Sequence, residues 1–105
     1  MRLFSEMNEE ELRREIGRLE EEWKRAQRKG LLSEQEILRQ RLNMAKSYLM
    51  DPHQIKPGRR YKAEGSDKPF LVEYLRGVMA WGHWEGEAES VALPIGILNP
   101  DEPVD

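Results

Sequence analysis

The chain has no cysteine. That excludes a disulfide scaffold, a thiolate metal site and a cysteine nucleophile together. Histidine is nearly as scarce. His53 and His83 are the whole supply, without i,i+4 helical spacing or an HExxH context, so a zinc site would have to recruit carboxylates through the fold. A Ser-His-Asp order, a Gly-rich phosphate loop and the GKS or GKT tripeptides are missing as well. The expectation is therefore a protein that is not an enzyme and that uses no cofactor and no metal. Nothing in the chain approaches the roughly 20 apolar residues of a membrane span. The start, Met1-Arg2-Leu3-Phe4-Ser5-Glu6, lacks the apolar stretch of a signal peptide. A soluble, cytoplasmic protein with no membrane partner is expected, and the missing cysteines agree with a reducing compartment.

An excess of charge of one sign is absent too. Charged residues make up 35% of the chain, yet the net charge is only −3. Residues 1–52 carry 11 basic and 11 acidic side chains, and residues 53–105 carry 6 and 9. Neither half has the basic surplus that counterion-release binding to nucleic acid calls for.

What is present in the first half is helical punctuation. Asn8 precedes Glu9-Glu10-Glu11-Leu12, so Asn8 can cap a helix while Glu11 closes a capping box, with Met7 and Leu12 as the hydrophobic staple. Ser33, Glu36, Leu32 and Ile37 repeat the device. Gly30 after Arg28-Lys29 suits a left-handed helix end. The spacing predicts helices over about 9–29 and 34–50, the second stopped by Asp51-Pro52. Leu12, Ile16, Leu19, Trp23 and Ala26 form one apolar seam, and Leu38, Leu42, Ala45 and Leu49 the other. Joined by the short connection Gly30–Ser33, they predict an antiparallel hairpin. Glu9–Arg13, Glu10–Arg14, Glu20–Lys24 and Glu21–Arg25 place acid before base at i,i+4, the pattern of a solvated face. The second helix has an additional stripe, Ile37, Met44 and Tyr48, beside its seam. It is a candidate surface for a protein partner or for a homodimer.

From Pro52 the texture changes. Prolines and glycines cut the chain into pieces too short for helices. Tyr61–Glu64 reads as a strand, Phe70–Leu75 and Val78–Trp84 as a hairpin with Arg76-Gly77 as its loop, and Ser90–Leu93 as a fourth strand. Pro94–Leu98 reads as a tight turn or a short 3₁₀ piece. With that loop, Phe70, Val72, Tyr74, Met79, Trp81 and His83 share one face, and Leu71, Glu73, Leu75, Val78 and Ala80 the other. Both faces are largely apolar, so a hairpin covered on both sides is expected. The same register puts Glu73 and His83 on opposite faces, which argues against a carboxylate–histidine pair. Trp81 is expected in the core and Trp84 at a rim.

Several segments then resemble a known family: Met44-Ala45-Lys46-Ser47-Tyr48-Leu49, Lys56-Pro57-Gly58, Tyr74 through Gly82 with its Trp81-Gly82 step, and Ala92-Leu93-Pro94-Ile95. They are similar to the YfhH-like family of small uncharacterised proteins from Bacillus-type bacteria, over nearly the whole chain. The resemblance implies a helical hairpin packed on a small SH3-like barrel, an α+β fold. It implies no activity, cofactor or site residue.

The expected organisation is a helical hairpin over 1–52, a barrel over 53–98 and a polar, flexible tail over 99–105, behaving as one cooperative unit. The leading functional expectation is a non-enzymatic protein-binding or adaptor module. Its candidate surfaces are a barrel groove with Tyr61, His83 and Trp84 beside Arg59 and Arg60, and the Ile37/Met44/Tyr48 stripe. The alternative is a nucleic-acid-binding accessory protein using barrel aromatics with Arg59, Arg60 and Lys62.

Overall fold

The computed structural model describes residues 2–103. The fold is α+β, and the chain divides into two compact units, Met1–Leu49 and Met50–Asp105. Among the described residues no helix is long and apolar enough to cross a membrane.

The first unit is an antiparallel pair of helices, α1 (Glu9–Arg28) and α2 (Leu32–Leu49), preceded by a 3₁₀ turn at Phe4–Glu6. The start of α1 follows its sequence signal closely. The Glu11 N–H donates to Asn8 Oδ1 at 2.8 Å, and the Asn8 N–H donates to Glu11 Oε1 at 3.2 Å, a complete capping box. Its end is a Schellman motif. Gly30 sits at φ +69°, the Leu31 N–H donates to the Ala26 carbonyl, and the Gly30 N–H donates to that of Gln27. The second expected cap does not form at Ser33. The Schellman motif turns the chain so tightly that α2 starts at Leu32, with its first turn closed by the Gln35 N–H on the Leu31 carbonyl. Ser33 therefore lies inside the helix.

The two seams meet as their periodicity requires. Leu19, Leu42 and Ala45 are buried together, with Phe4, Ile16, Trp23 and Leu38 packed around them. The outer face of α1 carries the expected i,i+4 pairs Arg13–Glu9 at 3.0 Å and Arg14–Glu10 at 3.4 Å. The Arg39 guanidinium lies over the Trp23 ring at 5.6 Å and closes the side of the seam.

The second unit is a five-stranded antiparallel sheet in the order β4-β3-β2-β1-β5, with β1 Arg60–Ala63, β2 Phe70–Arg76, β3 Met79–Trp84, β4 Val91–Pro94 and β5 Leu98–Pro103. A 3₁₀ turn at Ile95–Ile97 joins β4 to β5. Ile55, Tyr61, Phe70, Val72, Ala80, Ile95 and Leu98 form its core.

Three expectations about this unit need correction. The stretch 99–103 is not a loose tail. It is most of β5 and pairs with β1, from Ala63 opposite Leu98 to Tyr61 opposite Pro103, because an edge strand is held by backbone hydrogen bonds and needs no apolar pattern. Residues 104–105 of the expected tail lie outside the described residues. The hairpin loop is Gly77-Val78 rather than Arg76-Gly77, with Arg76 opposite Met79. Gly77, at φ +59°, takes the first loop position, where a type II′ turn places its only positive φ; the expected loop would have asked Arg76 for one. Finally, the pairing skips a residue. Tyr74 faces Trp81 and Val72 faces Gly82, leaving Glu73 as a β-bulge. Phe70 consequently faces Trp84 rather than His83.

Candidate functional site

The bulge decides which side chains of the β2–β3 hairpin are available. It reverses the in–out alternation at Glu73, so Phe70, Val72, Leu75, Ala80 and Trp84 belong to the core side. Leu71, Tyr74, Met79, Trp81 and His83 fall on the other. The apolar pattern had placed Trp81 in the core and Trp84 at a rim. The structure exchanges them. Trp84 packs edge-on against Phe70 with ring centroids 5.2 Å apart, while Trp81 stacks flat on the half-exposed Tyr74 at 6.0 Å.

The same bulge brings Glu73 and His83 together, against the expected register. His83 Nε2 lies 2.9 Å from Glu73 Oε1. The carboxylate accepts from the Nε2 side of the ring. The Nδ1 atom is buried with no hydrogen-bond partner. The pair links β2 to β3 across the bulge. Gly82 belongs to the same local structure. A Cβ built there would lie 1.8 Å from the Leu71 carbonyl oxygen. The bulged β2 backbone crosses directly over this position, and only glycine fits beneath it.

The remaining expected groove residues do not assemble into one surface. Tyr61 is 2% exposed and belongs to the core, where its hydroxyl accepts the Lys56 N–H at 2.8 Å. It cannot serve as a binding platform, because alternation along β1 points Tyr61 and Ala63 inward and Arg60 and Lys62 outward. Arg59 and Arg60 are exposed. Arg60 pairs with Glu85 at 3.5 Å, and Lys68 lies 3.8 Å from Glu87, so base and acid alternate across this part of the sheet. His53 is exposed and donates its backbone N–H to Asp51 Oδ1 at 2.9 Å. That bond and the one from the His53 ring hold the Asp51 carboxyl below its usual range. Among the described residues no group of three or more His, Asp or Glu side chains could hold a metal ion.

The stripe on α2 is brought together more completely. Ile37, Met44 and Tyr48 line one side of a hollow of about 420 Å³ whose other wall is Leu3 and Phe4, with Gln40 and Arg41 between. Ile37 is 54% exposed and Leu3 65%. The wall is fastened by Arg2, which ion-pairs with Glu11 and donates to the Glu6 carbonyl at 2.7 Å, and by Phe4, which packs on the helical seam. The contribution of Leu3 and Phe4 was missed in the sequence. Its signal was an apolar pair ahead of a strongly capped helix, where a chain entering α1 must cross the neighbouring helix.

A second hollow of about 350 Å³ shares Leu3, Phe4 and Arg41 and adds Met7, Glu15 and Arg18. The Arg18 guanidinium, hydrogen-bonded to Glu15, holds that carboxyl below its ordinary value and is itself held more firmly protonated. Arg18 also reaches Glu22 at 2.6 Å.

Comparison with known proteins places this geometry in a family. A curated relative from Bacillus subtilis (strain 168), described as "Uncharacterized protein YfhH", is 36% identical over 100 residues, covering 94% of this chain and 96% of that protein. A family model described as "Protein of unknown function (DUF1811)" matches residues 2–99. Segments from both the helices and the sheet lie within that match, and the chain belongs to the DUF1811 family.

Proposed function

We propose that this protein is a non-enzymatic protein-binding module and that its docking surface is the hollow between the N-terminal 3₁₀ turn and α2. One observation carries this reading. Of the six large apolar side chains left exposed among the described residues, three, Leu3, Ile37 and Tyr48, converge on a single hollow, while Leu31, Leu32 and Tyr74 lie outside it. Isolated exposed apolar residues are ordinary, whereas a clustered set beside a buried seam is the mark of a surface meant to be covered. The sheet unit supports the same reading from the other side. Of its aromatics, Tyr61, Phe70 and Trp84 are engaged in its own core, and its Glu73 and His83 are engaged with one another.

The sheet itself we read as an SH3-like barrel. Supporting this are the meander β1–β4, the return of β5 to the free side of β1 and the 3₁₀ turn between β4 and β5. A cytoplasmic setting belongs to the same reading and is supported by the cysteine-free sequence. The nucleic-acid alternative rests on Arg59, Arg60 and Lys62 with the barrel aromatics, of which Tyr74 and Trp81 stack on the outer face of the sheet. It is weakened by the Arg60–Glu85 pair and by the loss of Tyr61 to the core; retention of generic DNA or RNA in a low-salt mobility shift would revive it.

The test is site-specific photo-crosslinking in living cells, with the reactive group at position 37 and, as a control, at position 32. Both residues are exposed and lie on α2, but Leu32 is outside the hollow. Discrete adducts from 37 and none from 32 are expected. Equal labelling from both, or none from either, would refute the reading.

A further inference from the structure

The charge of the hollow specifies its occupant more closely; this step rests on the reading above. Arg41 is exposed and stands where the two hollows meet, each of them walled by Leu3 and Phe4. It is the only charged residue lining the larger one. The arginines around it are engaged: Arg2 with Glu11, and Arg18 with both Glu15 and Glu22. Glu15, the acid that shares the smaller hollow with Arg41, is taken by two Arg18 hydrogen bonds. Arg41 is close enough for its charge to act on Glu15, but no direct ion pair to it is found among the described residues, and that carboxylate is already held by Arg18. A cation in the middle of an apolar surface is costly to cover unless the covering chain brings an acid to it.

That requirement argues against a second copy of this chain. The stripe Ile37, Arg41, Met44, Tyr48 has the symmetric spacing four-three-four, so an antiparallel two-fold pairing would set Ile37 against Tyr48 and Arg41 against Met44. It would also leave the two Arg41 side chains about 4.5 Å apart along the axis, three residues at 1.5 Å each. A parallel two-fold pairing would oppose them directly. Both of these full-overlap pairings place like charges at their centre.

We propose that the groove binds a segment of another protein in which apolar residues flank an Asp or Glu. The apolar residues cover Leu3, Ile37, Met44 and Tyr48, and the carboxylate meets the Arg41 guanidinium in a charge-assisted pair. The acid selects the partner and fixes its register, while the apolar residues supply most of the binding.

Selection of randomised displayed peptides against the full-length chain tests this. Recovered peptides are expected to carry Asp or Glu between apolar residues and to lose binding with Ile37→Asp. Repeating the selection on Arg41→Glu should replace the acid with Lys or Arg. Peptides from the first selection should bind that variant at least roughly tenfold more weakly, and Arg41→Lys should retain most of the affinity. Peptides that need Ile37 but show no acidic preference, or that ignore Arg41→Glu, would overturn the charge assignment while leaving the docking surface standing. No peptide dependent on Ile37 would overturn both. Concentration-dependent dimerisation abolished by Ile37→Asp would overturn the proposal in favour of self-association.

Discussion

The two units of this chain handle apolar surface in opposite ways. The sheet unit gathers a long-range core in which Tyr61, Phe70, Val72, Ile55 and Ile95 are each at most 2% exposed, and a β-bulge re-sorts the hairpin so that Trp84 joins them while Tyr74 and Trp81 stack on the other face. The helical unit has a thin seam centred on Leu19, Leu42 and Ala45 and leaves Leu3, Ile37 and Tyr48 outside it. A long-range core held in place by a bulge and a single permissive glycine tolerates little change. A helix pair defined by local caps leaves part of its apolar surface exposed. In the function proposed above, that exposed face is the one a partner covers.

The sharpest way to break that contrast is at Gly82. Any side chain there collides with the Leu71 carbonyl, so Gly82→Ala should cost at least about 3 kcal/mol, at the upper end of overpacking penalties. Urea denaturation followed by tryptophan fluorescence would measure it, and a loss below about 1 kcal/mol would mean that the bulge does not press on Gly82 as described. In the helical seam, Leu19→Ala should cost about 3 kcal/mol, within the range for deleting a fully buried leucine. At the Asn8 cap, Asn8→Ala should cost about 1 kcal/mol by leaving the Glu11 N–H unpaired; thermal unfolding by circular dichroism reads both. The smallest effect concerns pH. The carboxyl of Glu15 is held below its ordinary value by Arg18, so the folded chain keeps it ionised more readily than the unfolded chain. Its stabilisation is full above the unfolded value of 4.5 and fades as pH falls through the lower folded one. Glu15→Gln should therefore flatten the acid limb of the stability profile slightly and leave neutral pH almost unchanged, as expected for a largely solvated ion pair.

Legibility followed the range of the interactions. Asn8 with Glu11, Gly30 and the Leu12–Ala26 seam act within one or two helical turns, and they could be read from their spacing. The hairpin could not. Its parity depends on one extra residue, Glu73, whose only trace in the sequence is that the apolar alternation Phe70, Val72 resumes at Leu75, out of phase. Reading straight through that break exchanged Trp81 with Trp84 and separated Glu73 from His83. The β5 strand was missed for another reason. Residues 99–105 read as a polar tail, yet an edge strand needs no apolar pattern and accommodates proline where the ladder asks for no N–H donor. On the candidate site, the α2 stripe was legible from helical periodicity. Its second wall was not, because Leu3 and Phe4 reach it through a 3₁₀ turn that no cap announces.

The central claim is that recognition resides in the helical unit. It is tested most directly by quantitative mass spectrometry of the proteins retained from one native extract by the wild-type chain, by Ile37→Asp and by Arg60→Glu. Both substitutions are at exposed positions, so both variants should fold. The account predicts that Ile37→Asp loses the specific set and Arg60→Glu keeps it. Loss with Arg60→Glu and retention with Ile37→Asp would contradict it.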